Sequence, residues 1–362
     1  MPKCLPRCLC LSSILLCSPA ISVLQAGEKL QILNDIAIQH VANRERIVTW
    51  EGKVEVLDRY VRPNETQSAT CEVEYALNRA DDIYRWTFRQ LQVTLTVDGK
   101  QVTDVRRYQV GGIRTKEGVT RLDWFDPAKG ETVGKQILGI QPPGYFHPGP
   151  GSLDFDPMYF FQEGSRSLES TFKQCYDMSE IKVPYRTTTQ DGSRVTYANT
   201  GNSVNQFTVD LAQGSNLVEA LYSESNAQGE LIQEIKVNTT YTKSAEICVP
   251  STVVYASRRP KDGTEFIRKF KWTSQTVNGE LAHDAFSLAT IGAKDGALVS
   301  DMRSGLSLAV KDGGLSPIAA APFQPPVPES HFARWIMILG TCIVVLVFLG
   351  IIVFRQRRSA NQ

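Results

Sequence analysis

Two hydrophobic periods divide the chain. Over residues 28–46, Leu30, Leu33, Ile36, Ala37, His40 and Val41 recur at steps of three and four, while Glu28, Lys29, Asp35, Asn43 and Arg44 take other faces. That spacing predicts one amphipathic N-terminal helix. His40 falls on the apolar stripe and reads as a satisfied, partly buried side chain rather than a ligand. From Ile47 the period becomes two. Val54 and Val56 alternate with Lys53 and Glu55, then Cys71, Val73 and Tyr75 with Glu72 and Glu74, then Trp86 and Phe88 with Arg85, Thr87 and Arg89. Such alternation predicts antiparallel strands with one packed and one wet face. Asp98-Gly99, Gly111-Gly112, Glu117-Gly118, Lys129-Gly130 and Asp191-Gly192 read as the turns between them. A second run of strands fills 194–288, with hairpin turns at Asn226–Gly229 and at Lys261-Asp262-Gly263.

Between the two runs the pattern breaks. Pro142, Pro143, Gly144, Pro148, Gly149, Pro150 and Gly151 lie among Tyr145, Phe146, Phe155, Tyr159, Phe160 and Phe161. A loop of this length and aromatic content either lines or covers a pocket, or packs its rings against the sheet edge. Asp156-Pro157 marks the start of a mid-chain helix from about Met158 toward Cys175, with aspartate as N-cap and proline at the first helical position.

The two ends supply an address. Lys3 and Arg7 precede the apolar stretch Leu9–Leu16, and small residues follow, with Ala20-x-Ser22 or Ala26 as cleavage endpoints. Trp335 to Phe354 contains no charged side chain, and Arg355, Arg357 and Arg358 follow at once. At about 1.5 Å per residue such a helix spans a bilayer core of about 30 Å, and the arginines hold the tail in the cytoplasm. The expected organisation is a signal peptide (1–26), an extracytoplasmic β-rich domain (27–314), a Pro-rich stalk (315–334), a transmembrane helix (335–354) and a cytoplasmic tail (355–362). The expected location is the cell membrane, single-pass, with the ectodomain periplasmic or extracellular.

Composition excludes more than it assigns. With 42% hydrophobic and 21% charged residues and a net charge of +1, the chain has no basic stripe that would neutralise nucleic-acid phosphates. Cys71, Cys175 and Cys248 fall in the expected exported region, and Cys175–Cys248 is the favoured disulfide if one forms. No cysteine or histidine spacing suggests zinc, and no cofactor is implied. No Gly-x-Ser-x-Gly elbow, phosphate loop, dinucleotide fingerprint or His-Glu-x-x-His occurs. Asp154, Asp156 and His147 are the groups a hydrolase would use, but capping and loop solvation explain the two carboxylates better.

Four short segments carry a family resemblance. The helix leads into Thr49-Trp50-Glu51-Gly52-Lys53-Val54-Glu55-Val56. The second run closes with Phe270-Lys271-Trp272, Val277-Asn278-Gly279 and Ala285-Phe286-Ser287-Leu288. Over residues 28–302 this order resembles the lipoprotein-carrier domains of bacterial envelopes, LolA/LolB-like and RseB-like. The resemblance implies an α+β fold: a mostly antiparallel incomplete β-barrel (half-barrel) around the N-terminal and mid-chain helices, with a cavity for acyl chains or hydrophobic peptide. It implies a non-catalytic binding or sensing protein for a lipid, lipoprotein or extended peptide. Tyr145, Phe146, Phe155, Tyr159, Phe160 and Phe161 are the candidate ligand contacts. The alternative is a structural envelope component that binds other surface proteins. Val327-Pro328-Glu329 before the span is similar to bacterial sorting tails that a transpeptidase removes.

Overall fold

The computed structural model describes residues 22–23, 26–102, 107–125, 135–149, 152–163, 166–167, 186–200 and 203–318. The predicted N-terminal helix forms as α1 (Ala26–Glu45). Almost everything else is strand: β1 (Ser22–Val23), β2 (Thr49–Arg62), β3 (Glu65–Asn78), β4 (Ile83–Val97), β5 (Lys100–Val102), β6 (Tyr108–Arg114), β7 (Val119–Phe125) and β8 (Lys135–Gln141) come first. After the loop come the short pair β9 (Gln162–Glu163) and β10 (Arg166–Ser167). The second run holds β11 (Arg186–Asp191), β12 (Arg194–Thr200), β13 (Ser203–Asp210), β14 (Asn216–Ser225), β15 (Leu231–Ser244), β16 (Ile247–Arg259) and β17 (Thr264–Val277). β18 (Leu298–Asp301), β19 (Leu306–Lys311) and β20 (Gly314–Pro317) close the described chain.

One sheet contains all of these strands except β9 and β10. From β11 to β17 each strand pairs antiparallel with the next, and β17 then pairs with β2 over its whole length. That pairing welds the two strand runs into one sheet. From β2 the ladder continues through β3, β4, β6, β7 and β8, and a parallel pairing of β8 with β18 adds β19 and β20.

The sheet curls. Seven strand spacings separate β15 from β7, about 34 Å on a flat sheet at about 4.8 Å each. Yet Arg121 of β7 grips Asp154, and Tyr241 of β15 meets Phe161, seven residues further along the same compact segment. Only a curled sheet brings both strands to it. The concave face carries Trp50, Val54, Val56, Cys71, Val73, Tyr75, Trp86, Phe88, Phe270 and Trp272, all buried, as their alternation requires.

Turn chemistry follows the sequence at most of the predicted places. Asp98 and Gly99 both take positive φ (49° and 74°) between β4 and β5, and Gly192, Gly229 and Gly263 do likewise at their hairpins. Gly111-Gly112 is different: it lies inside β6. A Cβ at Gly112 would stand 2.2 Å from the Trp86 ring, so the glycine makes room for the indole rather than a turn. Lys129-Gly130 lies outside the described residues.

Three expectations are corrected. The α+β half-barrel gives way, among the described residues, to a mostly β open sheet with one α-helix. Where the expected mid-chain helix is described, it is a 3-10 turn, Pro157–Phe161, followed by β9 and β10, and its further part, 168–175, lies outside the described residues. Its cap forms as read, with the Met158 amide donating to Asp156 Oδ1 at 2.8 Å. However, Phe160 and Phe161 are consecutive and both buried, which binds the turn to the sheet and leaves no one-sided helical stripe. The single-pass membrane location falls third. Among the described residues no helix is long and apolar enough to cross a membrane, since α1, with its 20 residues, carries Glu28, Lys29, Asp35, Arg44 and Glu45. The segment 335–354 and the sorting-tail motif lie outside the described residues, as does the stalk from residue 319.

Candidate functional site

The concave face has two covers of different construction, and the opposite face has a third. Over β12–β14, Ile36 of α1 packs on Val195, Tyr197, Phe207, Val209 and Leu217. On the opposite face, over β6–β8, the 3-10 turn Leu288–Ile291 packs on Ile113, Leu122, Leu138 and Ile140, whose parity is that of Gly111 rather than of Gly112 and Trp86. Beside α1 on the concave face, over β2–β4 and β15–β17, the cover is the proline- and aromatic-rich loop, 142–149 and 152–161.

Five of the six aromatic side chains singled out in that loop converge on the sheet. Phe146 lies with its ring centroid 4.9 Å from Trp86 and 6.0 Å from Tyr84. Phe155 sits 5.5 Å from Tyr75 and 6.0 Å from Phe270, and Phe160 sits 4.9 Å from Phe270 and 5.5 Å from Trp272. Phe161 is fully buried, 6.1 Å from Trp50 and 6.2 Å from Tyr241. Tyr159 is half-buried and meets Phe160 edge-on. Tyr145 stands apart, 51% exposed. Ring pairs of this geometry add about 0.5–1.5 kcal/mol each to the area they bury.

A loop that covers apolar surface still has backbone groups to satisfy. Side chains of the sheet do so. The Tyr84 hydroxyl donates to the Phe155 carbonyl, and burial holds its phenol protonated by pushing the pKa well up. Tyr241 donates to the Leu217 carbonyl at 2.8 Å and reaches the Phe160 carbonyl at 3.4 Å. Arg268 of β17 forms a bidentate pair with Asp58 of β2, both bonds 2.6 Å, and donates its remaining terminal nitrogen to the Ser152 carbonyl at 2.7 Å. It is only 4% exposed, among Phe88, Phe266 and Phe270. Arg121 of β7 pairs with Asp154 at 2.5 Å and with Asp123 at 3.1 Å. The Asp154 carboxylate also accepts the His147 amide at 3.1 Å.

Arg268, Arg121, Asp58 and Tyr84 were missed in the sequence. Arg268 had a signal, because it shares the inward parity of Phe266, Phe270 and Trp272. Asp154 and Asp156 do not act together. Asp154 belongs to the Arg121 pair, whereas Asp156 lines a separate polar cavity. Cys71 and Cys248 are buried thiols, with Cys71 pushed up to about 12 by burial and Cys248 raised for the same reason. Cys175 lies outside the described residues. Among the described residues no group of His, Cys, Asp and Glu has the arrangement to hold a metal ion.

No family model and no curated protein matches the chain. Among solved structures it is similar to a DUF1329 family protein from Desulfovibrio piger (12% identity, 73% of this chain and 99% of that one, TM-score 0.34). It is also similar to a putative outer membrane lipoprotein-sorting protein domain from Vibrio parahaemolyticus (10%, 74% and 99%, TM-score 0.35). A third is a β-barrel-like DUF1849 protein from Brucella abortus (10%, 63% and 98%, TM-score 0.26). With every TM-score below 0.5, these likenesses carry neither a family nor a function to this chain.

Proposed function

We propose that this protein binds an extended apolar ligand, an acyl chain or hydrophobic peptide, on the concave face of the sheet, without catalysis. One observation carries the reading. The most aromatic stretch of the concave face is covered by a loop, whereas the neighbouring stretch over β12–β14 is covered by a helix. Phe155, Phe160 and Phe161 occupy the space an apolar ligand would take, and Phe146 and Tyr159 flank it. Apolar sites consist mostly of such surfaces with a few fixed polar groups. The polar groups here are Arg121, Arg268 and Tyr84, which hold the loop.

In this reading the ligand replaces the rings of residues 155–161 on Tyr75, Phe270 and Trp272, and the loop lifts off. The exchange trades one apolar contact set for another, so it costs little beyond the polar latches. The test is fluorescence titration of the purified protein with a pyrene-labelled dodecanoate, together with native mass spectrometry for co-purified lipid. Saturable uptake, faster in Arg121→Gln than in the parent protein, is expected. A protein that emerges empty and takes up no chain in either form contradicts the proposal.

A further inference from the structure

Beside the aromatic layer lies a cavity of different character. It measures about 360 Å3 and sits where the last turn of α1, the β3–β4 turn, the end of β6 and the loop meet. Arg44, Arg79, Arg114, Asp82, Asp156 and Tyr84 line it. The guanidinium groups of Arg79 and Arg114, side by side around one small volume, repel one another unless something offsets them.

The protein offsets them only in part. Arg79 donates one terminal nitrogen to the carbonyls of Arg44 (2.7 Å) and Ile47 (3.2 Å), which closes the C-terminal end of α1. Arg114 donates one terminal nitrogen to Asp82 at 3.0 Å, and its guanidinium lies over the Phe146 ring at 5.6 Å. Each fork is therefore fixed by one nitrogen. The rest of each fork, Nε and Nη2 of Arg79 and Nε and Nη1 of Arg114, has no protein acceptor among the described residues. The remaining carboxyl, Asp156, accepts the Met158 amide at 2.8 Å. Burial pushes its pKa up toward the neutral form, which weakens its answer to the positive charge.

We infer that this cavity binds a phosphate oxyanion, either free phosphate or the phosphate of a lipid headgroup. The planar guanidinium fork matches phosphate oxygens, and a tetrahedral anion accepts from two forks at once. The volume lies in the range of small-molecule sites, and the polar lining suits an anion rather than an acyl chain.

Isothermal titration of the full chain with inorganic phosphate at low ionic strength tests this. Saturable one-to-one binding is expected. Arg114→Gln should weaken it about tenfold or more, the usual cost of a lost hydrogen bond to a charged group. Asp82→Asn removes the internal competitor for Arg114 and should tighten it. Should Arg114→Gln fail to fold by circular dichroism, Asp82→Asn decides alone. Competition with dihexanoyl phosphatidic acid and with glycerol phosphate separates the sources. Stronger displacement by the lipid points to a headgroup, and equal displacement to the free anion. Absence of phosphate and lipid binding, or affinity unchanged in both variants, overturns the inference. Inorganic phosphate has no apolar part, so this result and that of the acyl-chain titration are independent.

Discussion

The helix α1 and the loop, 142–149 and 152–161, cover neighbouring stretches of one concave face, and they do so by opposite means. The helix satisfies its own backbone, so the sheet beneath it can be almost wholly apolar, as Val195, Phe207, Val209 and Leu217 are. Its few polar anchors are amide clamps: Asn43 exchanges two 3.0 Å bonds with the backbone of Cys248, and His40 meets Asn216 at 3.1 Å. The loop cannot satisfy itself. The sheet beneath it must lend Tyr84, Arg121, Arg268 and Tyr241, and its apolar contacts come mostly from rings, with Leu153 and Met158 beside them. A cover of the first kind is fixed by its own regularity. A cover of the second kind is fixed by a small number of side-chain latches and is removable when those are broken.

The largest effect is expected at the centre of the loop cover. Phe161→Ala should cost about 3–5 kcal/mol in denaturant unfolding, as for other buried phenylalanines. Ile36→Ala under the helix should cost about 2–5 kcal/mol and leave acyl-chain uptake unchanged. Equal uptake defects in both would erase the contrast. Next comes acid. Burial, and then Arg44, lower the His40 pKa to about 4. The unfolded state therefore binds this proton more readily, and stability rises with pH between about 4 and the unfolded value of about 6.5. Below that window the loss levels off at about 3 kcal/mol, and His40→Gln should flatten the slope over the same interval.

A smaller effect is expected at the latch. Arg121→Gln should cost about 1–3 kcal/mol, less than a core substitution, while speeding uptake. A double-mutant cycle with Asp154→Asn should give a non-zero coupling, and additive losses would mean that the pair does not hold the loop. Least of all, Lys53→Ala on the convex face removes an exposed pair with Glu74 and should change stability by less than about 1 kcal/mol.

How much of this was legible depended on range. Period two located the strands, because each residue needs only its neighbours to declare a face. Asp98-Gly99 and Lys261-Asp262-Gly263 located hairpins for the same local reason. Gly111-Gly112 misled, since its cause is Trp86 on the adjacent strand, a contact invisible along the chain. The β17–β2 pairing joins residues about two hundred positions apart and has no local signature. The aromatic loop stood out by composition, but its partners did not. Arg121 and Asp154 are 33 residues apart, and Arg268 and Asp58 are 210 apart. Asp156-Pro157 was read correctly as a cap, yet the helix after it was not, because consecutive buried rings overrode the start signal.

Amide hydrogen exchange read by mass spectrometry, with and without pyrene-dodecanoate, compares the two covers directly. Ligand should accelerate exchange across 152–161 while α1 keeps its protection. Uptake that leaves 152–161 as protected as before, or that loosens α1 instead, would contradict the loop as the displaceable cover.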